Sequence, residues 1–146
     1  MKIRTMEPGD VKTISELEIT CFSDPWSENN IASELNSRLS YWLVAEIDGK
    51  VVGYIGSQSV LDTADVMNLA VAPEYRRQGI GESLVNALVA YLQQKGIIAL
   101  LLEVRASNDP AIALYKRLGF EQVGRRPNYY HHPKEDALIM RKELTI

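Results

Sequence analysis

The chain has 146 residues, 46% of them hydrophobic and 24% charged, the make-up of an ordinary globular protein able to bury one core. Its net charge of −3 excludes a chain-wide electrostatic track for nucleic acid, and no apolar run nears the ~20 residues that span a bilayer. A single cysteine, Cys21, excludes an internal disulfide and a cysteine-cluster metal site. Met1-Lys2-Ile3-Arg4-Thr5 shows no signal-peptide pattern, so a cytoplasmic location is expected.

Lys2 to Met6 reads as a short strand. Asp10 is placed to cap a helix whose apolar positions Val11, Ile14, Leu17 and Cys21 recur at helical spacing. Phe22-Ser23-Asp24-Pro25-Trp26 breaks it, and Ser27 caps a second helix with Ile31, Leu35 and Leu39 along one stripe. Tyr41 to Ile47 and Val51 to Leu61 are strands joined by an Asp48-Gly49 hairpin turn. Asp62 and Thr63 turn the chain into a strand from Asp65 to Val71, which completes an antiparallel meander. From Gly79 to Lys95, Ile80, Leu84, Leu88 and Leu92 define a helix that Gly96 ends. Ile98 to Val104 is almost continuously apolar, as in a strand covered on both faces. Asp109 caps a short helix with Pro110 at its first position, and Gly119 stops it. Phe120 to Asn128 and Asp136 to Lys142 are two last strands around an exposed turn. The order is β-α-α-β-β-β-α-β-α-β-β, with no repeat or linker, so residues 1–146 are expected to form a single domain.

The richest stretch runs from Val66 to Gly81. An apolar strand enters a turn with Arg76, Arg77, Gly79 and Gly81, and a long helix follows. Backbone N–H groups converge at such a junction, the helix dipole favours negative charge, and glycine lets a phosphate approach the backbone. The spacing fits neither a dinucleotide fingerprint nor a nucleotide P-loop. Its bland alternative is a plain strand–turn–helix junction with a surface arginine pair. Arg125 and Arg126 form a second basic pair; both pairs suit a compact phosphate ligand better than a polynucleotide.

Arg76-x-x-Gly79-x-Gly81 resembles the Gln/Arg-x-x-Gly-x-Gly/Ala pyrophosphate loop of the GCN5-related N-acetyltransferases, the GNAT superfamily. Asn108 after the fifth strand, followed by Leu114-Tyr115 and Gly119-Phe120, is similar to that superfamily's second signature. The resemblance covers the whole chain and implies a mixed α/β (α+β) fold: a central, mostly antiparallel mixed sheet of about seven strands flanked by four helices. Within the superfamily, Pro25-Trp26-Ser27, Asn68-Leu69-Ala70-Val71, Leu102 to Asn108, Asn128-Tyr129-Tyr130 and Glu135-Asp136-Ala137 resemble the ribosomal-protein-alanine N-acetyltransferases of the RimI type. That likeness implies acetyl transfer from acetyl-coenzyme A to the N-terminal alanine amine of a small-subunit ribosomal protein; the charge, hydropathy and cysteine content above add the expectation of no nucleic acid, membrane or metal.

An α-amino group has a pKa near ~7.7–8.0, so one moderately basic carboxylate suffices to take its proton. Glu103 is the candidate base, an acid inside an apolar run whose strand parity puts it with Leu101 and Arg105. An ion pair with Arg105 or a neighbouring strand, or a solvent-exposed strand end, is the structural alternative. The resemblance implies that Tyr115 protonates the leaving thiolate, although Ala111, Leu114, Tyr115 and Leu118 also form an unremarkable core stripe. It further implies that Leu69, Ala70 and Val71 line the pantetheine arm, with Leu69 and Val71 using their backbone. Arg76, Arg77, Gln78, Gly79, Ile80, Gly81 and Glu82 would hold the pyrophosphate, Glu82 by its amide alone. Asn108 would bond the pantetheine arm or orient its loop.

Trp26, Tyr129 and Tyr130 fall in loop-like segments and either wall an acceptor groove or cap the core locally. Asp24, Glu28, Asp62 and Asp65 could attract a basic ribosomal tail. Cys21 reads as packing, and His131-His132 as poor metal geometry. Two other functions share these motifs: acetylation of a small amine, and a non-catalytic acyl-coenzyme A-binding module.

Overall fold

The computed structural model describes residues 1–144. Strands β1 (Lys2–Thr5), β2 (Ser40–Ile47), β3 (Lys50–Val60), β4 (Thr63–Val71), β5 (Ala99–Arg105), β6 (Glu121–His131) and β7 (Lys134–Glu143) form one sheet in the order β1-β2-β3-β4-β5-β7-β6. Only β4 and β5 run parallel; every other neighbouring pair is antiparallel. Helices α1 (Val11–Cys21) and α2 (Glu28–Glu34) cover one face, where Ile14, Ile31, Trp42, Val44 and Tyr54 pack. Helices α3 (Ile80–Gln94) and α4 (Asp109–Arg117) cover the other, where Leu84 and Leu88 meet Ile55, Leu100 and Leu102. The mixed sheet and four helices match the expected architecture.

Two features of β4 position the site. Asn68 faces Gly56 and Val66 faces Ser57, so Met67 is an extra residue, a bulge that bends the strand. β4 pairs with β5 through only three rows, Thr63–Ala99, Ala64–Leu100 and Asp65–Leu101. Beyond them β5 stays with β7 as far as Arg105, β4 stays with β3, and a gap opens through the sheet.

Several local expectations are corrected. The Asp10 side chain does not cap α1; Arg4 takes both its oxygens, at 2.8 and 2.9 Å, and the Glu7 N–H takes one at 2.8 Å. Ser27 does cap α2, accepting from the Asn30 N–H at 3.1 Å. That helix ends at Glu34, because the N–H groups of Leu35, Asn36 and Ser37 tighten onto carbonyls three residues back, and Leu39 leaves the stripe for solvent. The β3–β4 turn is Leu61-Asp62, with Leu61 at φ +58° and Thr63 already paired to Val60. Asn108, not Asp109, caps α4, accepting from the Ala111 N–H at 3.3 Å. β5 is not sealed on both faces: Leu100, Leu102 and Val104 are buried, whereas Leu101, Glu103 and Arg105 are half-buried towards α1 and α2. The last hairpin reaches His131 and Lys134, so Tyr129 and Tyr130 lie on β6, beyond an irregularity where Asn128 takes φ +55°.

Gly56 has no room for a side chain, since a Cβ there would run into the Trp42 ring on the facing strand. Gly56→Ala is expected to destabilise the fold by about 1–3 kcal/mol, the cost of overpacking. Urea unfolding would show it as a lowered midpoint with an unchanged slope; an unchanged midpoint would contradict the packing.

Candidate active site

The β4 edge facing the gap can be read from two hydrogen bonds. The Ala72 N–H donates to Val52 O at 2.8 Å, towards β3, whereas Val71 O accepts from Arg76 Nε at 3.1 Å, away from it. Strand alternation then directs the backbone polar groups of Leu69 and Val71 into the gap and those of Ala70 into β3. Of these three residues, Leu69 and Val71 are the two whose backbone groups face the gap.

After β4 a short 3-10 turn, Pro73–Tyr75, leads to the start of α3. The Arg76 N–H bonds Pro73 O at 3.3 Å, and the Ser83 N–H bonds Gly79 O at 3.0 Å. Between them stand the amides of residues 77–82, including those that the first helical turn leaves without an acceptor. Arg77 and Gly79 take positive φ, +64° and +80°, which folds these amides around the helix start. Gly79 needs its glycine for that conformation. Gly81 does not: a Cβ there would meet only Leu114 Cδ2, at an ordinary 3.7 Å. The protein's own packing does not require glycine at Gly81, in the first turn of α3. The Glu82 carboxylate turns aside to Arg117, at 3.4 Å. Arg76 does not reach over the turn; besides Val71 O, its guanidinium lies 3.4 Å from Cys21 Sγ.

Glu103 and Tyr115 belong to opposite layers of the sheet. Leu101 sits in one row with Asp65 and Gln58, and Gln58 Nε2 bonds Glu34 of α2, so Glu103 faces the α1–α2 layer. Tyr115 belongs to the α3–α4 layer, edge-on to Phe120 at 5.5 Å. Asn108, by starting α4, sets the helical phase that turns Tyr115 inward. Burial, aided by nearby Tyr130, pushes the Tyr115 phenol up to about 12.

Glu103 pairs with Arg126 rather than Arg105; Arg126 Nε stands 3.3 Å from Oε2, close but off line for a hydrogen bond. That oxygen is buried and takes no hydrogen bond among the described residues. Arg105 is engaged elsewhere, with Glu135 at 3.3 Å, Pro133 O at 2.9 Å and Ser23 Oγ at 3.3 Å, and it lies 4.3 Å from the Tyr130 ring centre. Tyr129 and Tyr130 pack edge-on at 5.1 Å. Burial and then the Glu103 charge raise both phenols, Tyr130 to about 12. Trp26 packs edge-on to Trp42 at 5.6 Å.

Arg125 and Arg126 are therefore not an anion site: Arg125 holds Asp136 at 2.7 Å, and Arg126 shares the face of Glu103 and Asp65. Burial raises the Asp65 carboxyl, which the Arg126 charge partly offsets. The sequence reading missed Arg126 as a neighbour of Glu103 because the two strands adjoin only through β7.

The family model for the GNAT acetyltransferases matches residues 11–120. The chain belongs to this family. It is thereby an acetyl-coenzyme A-dependent N-acetyltransferase, the enzyme class expected from its motifs. The [ribosomal protein bS18]-alanine N-acetyltransferase of Escherichia coli K12 is 40% identical over 146 residues, spanning 99% of this chain and 98% of its own. The Haemophilus ducreyi protein of the same name is 36% identical over 94% of this chain and 97% of its own. The crystal structure of the Escherichia coli ribosomal-protein-S18-alanine N-acetyltransferase superposes with a TM-score of 0.92 at 37% identity, covering 99% of this chain and 94% of that one. Arabidopsis thaliana NAA60 in complex with acetyl-CoA shares the fold, with a TM-score of 0.86 at 20% identity over 97% of each chain.

The raised phenols have a consequence for stability at high pH. An unfolded tyrosine ionises near ~10. Between about 10 and 12 the unfolded chain has therefore lost protons that folded Tyr115 and Tyr130 still hold. Their contribution is complete below pH ~10 and is lost as pH rises through the folded values. Tyr115→Phe is expected to flatten the fall of Tm across that window relative to wild type. An identical slope in thermal melts would contradict the burial-raised phenol.

Proposed function

We propose that this protein acetylates the N-terminal alanine of small-subunit ribosomal protein bS18 in the cytoplasm, by direct transfer from acetyl-coenzyme A. The full-length similarity to the Escherichia coli enzyme supports the acceptor. The observation that carries the chemistry is the buried Glu103 Oε2, beside Arg126 but taking no hydrogen bond among the described residues, on the face that also carries Tyr129 and Tyr130.

Acetyl-coenzyme A supplies an acetyl group already activated as a thioester, an anionic diphosphate and an amide-bearing arm. The unused amides at the start of α3, with Arg77, suit the diphosphate, and Gly81 leaves the backbone open to it. Leu69 and Val71 offer their backbone edge to the arm, and Arg76 gives up the Val71 carbonyl when the arm takes its place. Asn108 orients its loop and the helix behind it.

The acceptor amine approaches from the α1–α2 face, walled by Trp26, Tyr129 and Tyr130. Glu103 takes a proton from the amine, directly or through water, once the incoming group displaces the Arg126 contact. Tyr115 keeps its proton far above neutral pH, so on the opposite side it can donate to the departing thiolate. Asp65 adds negative charge to the acceptor face, complementary to a basic N-terminal segment.

The test is mass spectrometry of a basic peptide beginning with alanine after incubation with acetyl-coenzyme A, beside a panel of small amines. Peptide acetylation is expected, and Glu103→Gln should lower kcat by about 10²–10⁴-fold, the usual worth of a positioned base. Acetyl-coenzyme A affinity should stay near wild type. A wild-type enzyme that modifies small amines and leaves the peptide untouched would overturn the acceptor assignment.

A further inference from the structure

Glu18 is fully buried in the last turn of α1, among the apolar side chains between that helix and the sheet. Donors from three other parts of the chain converge on its carboxylate. The Tyr54 hydroxyl of β3 donates to Oε2. Asn68 Nδ2 of β4 donates to Oε1 at 3.0 Å and to Oε2 at 2.8 Å. The Trp26 backbone N–H, in the α1–α2 connection, donates to Oε1 at 2.7 Å.

A carboxylate only accepts, so it answers all of these donors, whereas an amide would turn a donor of its own towards them. Burying a carboxylate is expensive, and α1 could dock on the sheet with an apolar residue instead. Directional hydrogen bonds supply what apolar contact does not, a fixed register. The groups they fix belong to both halves of the site. Asn68 lies between the Met67 bulge and Leu69, whose backbone faces the gap. Trp26 stands on the acceptor side.

We propose that Glu18 is a positioning residue for acetyl transfer: it locks the aim of the β4 edge at Leu69 to the acceptor-side connection at Trp26. The inference rests on the acetyltransferase reading above. The expense of a buried carboxylate is then the means by which the donor arm and the acceptor meet at a set distance, since small misplacements of reacting groups slow a reaction steeply.

The experiment compares Glu18→Gln and Asn68→Ala with Asp10→Asn. Asp10 is also a buried carboxylate, but it is held by Arg4 at the start of α1. For each protein one measures Tm, the acetyl-coenzyme A Kd by calorimetry, and kcat and KM for the alanine peptide well below Tm. Glu18→Gln and Asn68→Ala are expected to raise both Kd and the peptide KM about tenfold or more and to lower kcat. Asp10→Asn should lower Tm while Kd and KM stay within about twofold, as for a site without shared partners.

If Glu18→Gln does not fold, Asn68→Ala and Tyr54→Phe keep the carboxylate, remove donors one residue at a time, and carry the same expectation. Site variants that lose Tm yet keep wild-type Kd and KM would overturn the proposal and leave a purely structural Glu18. Wild-type protein that binds no acetyl-coenzyme A would overturn the acetyltransferase reading and this inference with it. An active wild type with unaffected variants would overturn the inference alone.

Discussion

The early parting of β4 from β5 is the constraint on which the rest of the molecule depends. Two parallel strands share three rows and then separate inside a seven-stranded sheet. The bulge at Met67 bends β4, while seven rows of pairing hold β5 to β7. A free strand edge is a liability that proteins normally cover. Here the backbone groups of Leu69 and Val71 lead towards a helix start whose first-turn amides have no helical acceptor, the cradle proposed above for the diphosphate.

In the mechanism proposed above, the gap lets the two faces of the sheet act on one reaction. Glu103 comes from the α1–α2 face and Tyr115 from the α3–α4 layer. Their environments differ. Tyr115 is packed against Phe120 and holds its proton tightly. Glu103 is half-buried beside a cation, with one oxygen turned inward and taking no hydrogen bond among the described residues. Arg105 braces this arrangement, joining Ser23 before α2 to Glu135 and Pro133 on the last hairpin.

Much of this was legible in the chain. Apolar periodicity placed the four helices, Asp48-Gly49 marked its turn, and the glycine spacing after β4 marked the helix start. Parity put Glu103 on one face with Leu101 and Arg105, as found. What escaped was decided by competition for hydrogen bonds or by contacts distant in sequence. Arg4 claims Asp10, six residues away, so the capping expected of it failed. Asn108 outcompetes Asp109 for the start of α4. The Arg126–Glu103 contact depends on β7 lying between β5 and β6, an order that periodicity cannot give. Glu18 left a trace that could be read: it falls four residues after Ile14 and seven after Val11, on the stripe that α1 buries.

The most direct measurement is a backbone amide NMR titration of the assigned protein with coenzyme A. We expect the largest shift changes at Leu69, Val71 and residues 77–82, with Ala70 less affected because its N–H faces β3. Shifts concentrated elsewhere, with the β4 edge and the start of α3 undisturbed, would contradict the gap as the cosubstrate site.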